Sequence, residues 1–235
     1  MNGAAPSNDL VVVVPVLDEA AGLGDRLFAL QPLRERGVRV VVVDGGSADA
    51  SVAIAEAGAD RVLRTSRGRA AQMNAGAAAV ECRVLLFLHA DTALPVDADR
   101  DVLAALGNGH LWGRFDVRLD NPRPVFRVIE RLMNLRSRLS GIATGDQAMF
   151  VDATAFRAVG GFANLPLMED VALSKRLRRL GRPACLHATV VTSARRWQQF
   201  GVWRTIWLMW RLRAAYALGA DPDRLARAYR VGADG

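Results

Sequence analysis

The chain has 235 residues, 51% of them hydrophobic and 23% charged, with 21 Gly and 9 Pro, which provides for one packed domain of ordinary size and excludes a disordered or low-complexity chain. No stretch approaches the roughly 18 apolar residues of a membrane span, no basic segment precedes the apolar start, and Cys82 and Cys185 alone cannot build a disulfide framework or a thiolate metal site; a cytoplasmic address is expected. Of the net charge of +7, residues 171–235 hold 13 cations against 3 acids, so the positive excess sits in the last quarter of a chain whose body is near neutral, a distribution that points to an anionic surface as partner.

Residues 1–9 read as a flexible leader. Residues 10–15 are a β-branched apolar run, the pattern of a strand buried on both faces, and 19–33 continue with helical spacing through Leu23, Leu27 and Leu30. A second buried strand is expected over 38–43, ending at Asp44-Gly45-Gly46-Ser47; Ser47 or Asp49 can then cap a helix running to about 57. A short strand at 61–63, an Ala-rich helix at 68–80 and a strand at 84–88 complete a strict strand–helix alternation. That alternation predicts an α/β domain with a mainly parallel sheet and helices on both faces. Beyond Asp91 the expected elements are a helix at 97–106, an exposed strand at 111–119, an amphipathic helix at 124–139, a strand at 148–151, helices at 152–159 and 171–180, and a strand at 184–191. Helices over 202–218 and from Pro222 to about 229 close the chain. One domain over 10–200 is the economical reading, with 201–235 as amphipathic helices that either join it or contact a membrane.

In open α/β sheets, ligands bind beyond the carboxyl ends of the strands. The first strand delivers Pro15, Asp18 and Glu19 there, the second Asp44, Gly45, Gly46 and Ser47, and the strand after Val84 delivers His89 and Asp91. Singly, Asp18 or Asp49 reads as a helix cap and Asp44-Gly45-Gly46 as a turn. Acids at three adjacent strand ends together favour a site that hydrogen-bonds a nucleoside and holds a divalent cation. Gly45-Gly46-Ser47 lacks the dinucleotide-binding spacing and follows the wrong strand, and no Walker sequence is present. A methyltransferase also places an acid and glycines after a strand, so that reading stays open.

The ordered set Val-Pro-Val-Leu-Asp-Glu (14–19), Val-Val-Asp-Gly-Gly-Ser-Ala-Asp (42–49), Gly-Arg-Ala-Ala-Gln-Met-Asn-Ala-Gly (68–76), Leu-His-Ala-Asp-Thr (88–92), Gly-Asp-Gln-Ala (145–148), Met-Glu-Asp (168–170) and Arg-Arg-Trp (195–197) resembles the family 2 glycosyltransferases of GT-A fold. Within that family it is most similar to the small bacterial branch labelled arsenosugar biosynthesis or selenodomain-associated. The resemblance covers about residues 10–200. It implies an inverting transferase that moves a sugar from a nucleoside-diphosphate donor, UDP- or GDP-linked, to a hydroxyl acceptor, small or lipid-linked, with Mg²⁺ or Mn²⁺. It further implies that Pro15, Asp18, Glu19, Asp44, Ser47, Arg69, Asn74 and Ala90 bind the nucleotide sugar. Asp91 would hold the metal. His89, standing where the family's motif has its first acid, would be either a second ligand or a structural residue. Asp170 would be the catalytic base, and Gly145, Asp146, Gln147, Glu169, Arg196 and Trp197 would line the acceptor side. By residue type alone, Glu169 and Asp170 equally suit a helix N-terminus, and Arg69 a solvated helix start.

Two readings compete with a transferase. A nucleotidyltransferase also uses acids at strand ends, but it needs a Gly-rich, lysine-containing phosphate loop that residues 16–24 lack. A non-catalytic membrane-associated module would keep the fold without the chemistry. Trp203, Trp207 and Trp210 fall at i, i+4 and i+7, with Arg204 and Arg211 beside them. That face suits either a bilayer interface or a packed helix. Arg127, Arg131, Arg136 and Arg138 on the 124–139 helix read as a second contact surface or a solvated face. Nothing accompanies the charge that would mark a nucleic-acid binder.

Overall fold

The computed structural model describes residues 9–234, the side chains of Arg196 and of residues 230–234 aside; the expectation for the N-terminal leader lies outside the described residues except at its last position. The chain begins with β1 (Leu10–Val16), α1 (Ala20–Ala29), α2 (Gln31–Glu35), β2 (Arg39–Asp44), α3 (Ser51–Gly58), β3 (Arg61–Arg64), α4 (Arg69–Ala78) and β4 (Val84–Phe87). It continues with β5 (Thr92–Ala93), α5 (Ala98–Gly107), β6 (Trp112–Leu119), α6 (Pro124–Ser140), β7 (Met149–Asp152), α7 (Ala153–Ala158), α8 (Glu169–Leu177) and β8 (Ala184–Thr192). It ends with α9 (Arg195–Phe200), α10 (Val202–Ala217) and α11 (Pro222–Asp234).

One eight-stranded sheet runs in the order β3-β2-β1-β4-β7-β6-β8-β5. The first half is parallel, with Val12 beside Val40 and Val84 beside Leu10. The valine run of β1 is buried along its whole length because both faces are covered, one by α1 and its neighbours and the other by α4. From β4 onward the sheet becomes mixed: β7 is antiparallel to both β4 and β6, whereas β6 and β8 are parallel.

Two local expectations need correction. Residues 19–33 are not one helix: Pro32 cannot donate a backbone hydrogen bond, and the chain restarts at Gln31 with that proline in the first turn of α2. Strand β6 is exposed only at Arg118. It lies between β7 and β8, and α6 covers Arg114 and Asp116, two of the three polar positions that alternation would turn to water. Fully buried Arg114 donates to Ser137 Oγ and Asn134 O of α6 and pairs with Asp116, which also accepts from Arg138 at 2.6 Å. Two of the three polar residues on that face are thus held in an ionic network against α6, and Arg118 alone is exposed.

The C-terminal helices pack on the domain's body. Leu208 and Leu212 of α10 and Leu225 of α11 cluster with Met168 and Val171 at the start of α8. Val202 and Ile206 meet Phe126 and Ile129 of α6. The tryptophan face of α10 points away from these contacts: Trp203, Trp207 and Trp210 are 78%, 63% and 74% exposed.

Candidate active site

The carboxyl ends of the parallel strands are tied together before any ligand is considered. Asp44 is buried and accepts from the amides of Gly46 and Ser47, closing its own turn. Ser47 Oγ accepts from the Asp18 amide, and Asp18 returns the bond by accepting from Ala48 at 2.8 Å. Asp18 adopts a positive φ of 53° to do so. The Gln72 amide group donates at 2.8 Å to both Val16 O and Val43 O, clamping the ends of β1 and β2. That clamp is one residue the sequence reading passed over. Its only sequence signal is a polar residue on the buried stripe of an Ala-rich helix.

Beyond these ends lies a cleft of about 350 Å³. It is lined by Glu19, Arg69, His89 and Asp91 from the segments at the strand ends; by Gly145, Asp146, Glu169 and Asp170 from the 3₁₀ turn and the start of α8; and by Arg195, Trp197 and Arg213 from the C-terminal segment. The structure thus brings nine of the sequence-selected residues to one cavity. Pro15, Asp44 and Ala90 are buried at the strand ends. Asp18, Asp44 and Ser47 form the loop scaffold just described. Gln147 is also buried: with Thr144 it closes a reciprocal cap on the 3₁₀ turn Gly145–Gln147, so it shapes that turn instead of facing the cleft. Asn74 is placed elsewhere. Its side chain exchanges two hydrogen bonds with the backbone of Phe162, at 2.8 and 2.9 Å, and borders a separate cavity of about 680 Å³ near Cys82 and Phe156. The Arg196 side chain lies outside the described residues; its neighbour Arg195 comes within 3.6 Å of Glu19.

Met168, the residue that caps the start of α8, is held in the left-handed region at φ 68°, a strained state for a non-glycine residue, and the next two residues, Glu169 and Asp170, line the cleft. Asp170 Oδ2 accepts from the Gly145 amide at 2.9 Å, and Oδ1 from its neighbour Val171. Burial nevertheless holds the Asp170 carboxyl above its ordinary range, and burial together with the adjacent Asp170 charge lifts Glu169 to about 7. His89 is driven the other way, to about 3, by burial and by the nearby Arg69 charge, so its imidazole is neutral. Burial also raises Glu19, against the pull of Arg195 and with the push of Asp91.

No group of three or more metal-ligating side chains occurs among the described residues. Mg²⁺ and Mn²⁺ do not need one where phosphates complete the shell: one or two carboxylates are their usual protein contribution. Asp91, lining the cleft at the end of β4, fits that requirement, and neutral His89 is a nitrogen donor two residues away.

The family model for glycosyl transferase family 2 matches residues 11–160. No curated protein matches the chain. Among solved structures, the mannosyltransferase PcManGT from Pyrobaculum calidifontis, in complex with GDP-Man and Mn²⁺, is similar at 17% identity, TM-score 0.69, over 97% of this chain and 71% of that one. S. aureus TarS 1–349 with UDP-GlcNAc is similar at 18% identity, TM-score 0.66, over 79% of this chain and 58% of that one. Glucosyl-3-phosphoglycerate synthase from Mycobacterium tuberculosis with Mn²⁺, UDP and phosphoglyceric acid is similar at 18% identity, TM-score 0.59, over 78% and 69%. The chain spans 39% to 64% of the length of the TarS chains it matches. The structural likenesses establish the GT-A fold, and the family match covers most of the sheet and the strand-end side of the cleft: the chain belongs to glycosyl transferase family 2.

Proposed function

We propose that this protein is an inverting glycosyltransferase that moves a sugar from a UDP- or GDP-linked donor to a hydroxyl acceptor, with Asp170 as the base. The observation that carries the reading is the position of Asp170: a carboxylate held by the Gly145 amide and lining the same cavity as the strand-end acids Glu19 and Asp91. Glu19 lines the cleft and would meet the nucleoside, with the Asp44 loop setting the strand ends behind it, and Arg69, at the start of α4, supplies a guanidinium suited to the diphosphate. Asp91, with His89 beside it, would hold the divalent cation, which offsets charge growing on the leaving diphosphate. Asp170 takes the acceptor hydroxyl's proton as that oxygen bonds to the anomeric carbon and the bond to the diphosphate breaks on the opposite face.

The neighbours' ligands, UDP-GlcNAc, GDP-Man and UDP with Mn²⁺ or Mg²⁺, support a donor of this class. The exposed tryptophans of α10 support a peripheral site on an anionic membrane, and with it a lipid-linked acceptor. No helix of the described residues is long and apolar enough to cross a membrane.

Thermal melting with UDP, GDP, CDP, ADP and dTDP, each with Mn²⁺ and with EDTA, tests the proposal, since a ligand that binds only the native state must raise its stability. A metal-dependent rise with UDP or GDP is expected, followed by release of that nucleotide from its sugar donor. Binding without turnover favours the non-catalytic module, and release of pyrophosphate from a sugar phosphate and a nucleoside triphosphate favours the nucleotidyltransferase.

A further inference from the structure

Two arginines near the 3₁₀ turn and the start of α8 have buried donors with nothing to bond among the described residues. The Nε and Nη2 atoms of Arg136, from α6, and Nε of Arg213, from α10, are sealed from water without a hydrogen-bond partner among the described residues. Arg213 lines the cleft. The two guanidinium groups are close enough to repel; Arg136 interacts with Asp146 of the 3₁₀ turn and with Asp170 at the start of α8, and Arg213 with Asp170.

Those acids do not supply the missing acceptors. Both Asp170 oxygens accept from backbone amides, and Asp146 accepts from the Thr144 hydroxyl. Leaving guanidinium donors buried and unfilled costs more than an ordinary hydrogen bond contributes. Packing two such groups together adds repulsion, and both costs fall when one anion bonds the pair. The location decides whose anion it is. Donor-binding groups come from the ends of β1, β2, β4 and the start of α4, whereas Arg136 and Arg213 come from α6 and α10 and both act on Asp170.

Resting on the transferase reading above, we infer that the acceptor carries a phosphate group, held by Arg213 with Arg136 behind it, which presents a nearby hydroxyl to Asp170. A soluble phosphate ester and a phospholipid headgroup offer the same chemistry at this point.

The test is calorimetric titration of the whole protein, saturated with Mg²⁺ and UDP or GDP so that the donor's phosphate subsite is filled. One arm uses inorganic phosphate and glycerol 3-phosphate; the other uses phosphatidylcholine vesicles with and without phosphatidylglycerol. Binding in the first arm alone assigns a soluble ester, and a further gain from phosphatidylglycerol that is lost with the same arginines assigns the headgroup. Arg213→Gln is expected to weaken phosphate binding at least tenfold and Arg136→Gln severalfold, with Arg213→Lys recovering part of the loss. Melting of the ligand-free variants checks that they fold; if Arg213→Gln does not, Arg213→Lys, which keeps the charge but loses the guanidinium fork, carries the comparison. The inference is overturned if the nucleotide-loaded wild type binds neither form of phosphate, if the variants bind it unchanged, or if they lose nucleotide affinity by the same factor. Failure of the transferase reading would look different: the wild type would then show no metal-dependent nucleotide binding at the outset.

Discussion

Gly145 donates its amide to Asp170 Oδ2 at 2.9 Å while the same residue's α-carbon packs against the imidazole of His89. One backbone position therefore sets the spacing between the proposed base and the proposed metal end of the cleft. A methyl group added there would fall well inside van der Waals contact of His89 Nε2. Gly145→Ala must push the imidazole or the turn aside, and an overpacked site of this kind costs roughly 1–3 kcal/mol. Because misplacement of reacting groups by about 1 Å can cost on the order of 100-fold in rate, the variant is expected to lose far more turnover than stability. Steady-state kinetics alongside thermal melting checks this, and equal, small losses in both would show that the turn does not set catalytic spacing.

Asp170→Asn keeps the size and an oxygen that can accept from Gly145 but cannot take a proton. Transfer should fall by roughly 10²–10⁴-fold, the range for loss of a general base, with nucleotide affinity within a factor of about two of wild type. Retained transfer in this variant would move the base elsewhere, and Glu169 would be the first place to look.

Glu169 titrates near 7 because burial and the Asp170 charge disfavour its ionised form. A carboxyl raised on folding binds its proton in the native state at pH values where the unfolded chain has released it. Its stability contribution is therefore complete below about 4.5 and is lost as pH rises through about 7. Glu169→Gln, uncharged throughout, should melt close to wild type at pH 4.5 and be the more stable protein at pH 8.5, by up to roughly 3 kcal/mol. Melting curves at the two pH values decide it; a difference that does not change with pH would mean that Glu169 does not ionise in this range.

The first half of the sheet was readable because buried parallel strands are written as uninterrupted valine runs, and because Asp44, His89 and Asp91 stand where those runs stop. The long-range pairings were not. Nothing local in Arg114 or Asp116 says that α6 will cover them, since a polar face sealed by counter-charges has the same alternation as one facing water. Asn74 sits one turn beyond Arg69 on the same helix, yet its amide is consumed by the Phe162 backbone 88 residues later. In the sequence Arg213 is one more cation two residues beyond Arg211, and its place in the cleft depends on how α10 docks against α8. Periodicity could not choose between a packed and an exposed tryptophan face, because the apolar residues that dock the helix, Leu208 and Leu212, are interleaved with the tryptophans.

The network beneath β6 gives a prediction independent of the site. Asp116 is the shared counter-ion of fully buried Arg114 and of Arg138. Removing one partner of a buried ionic cluster strands the remaining charge and costs about 3–5 kcal/mol, so Asp116→Ala should be severely destabilised. Replacing Arg114 and Asp116 together by Met and Leu should recover much of that loss, because no charge is then left unpaired at Arg114. Denaturant unfolding of the single and double variants distinguishes these outcomes; additive losses would mean that the cluster is not energetically coupled.

The surface of α10 gives the last prediction. Three tryptophans on one exposed face are costly in water, and Arg211 stacks 4.7 Å from the Trp207 ring, so cation and aromatic face outward together. On the neighbouring helix α6, Val128, Leu132, Leu135 and Leu139 are exposed at the same helical spacing. An interfacial site would bury the tryptophan rings at headgroup depth and set the arginines against anionic lipid. Replacing Trp203, Trp207 and Trp210 together by Ser should leave thermal stability nearly unchanged, since none of them fills the core. At about 25 cal/mol per Å² of apolar surface, loss of the three rings should lower partition to vesicles by on the order of 100-fold or more. Sedimentation with phosphatidylglycerol-containing vesicles measures it: wild type should bind, more strongly at low salt, and the triple variant should stay in solution. If the two proteins sediment alike, the tryptophan face does not dock on lipid, and its exposure needs a different partner.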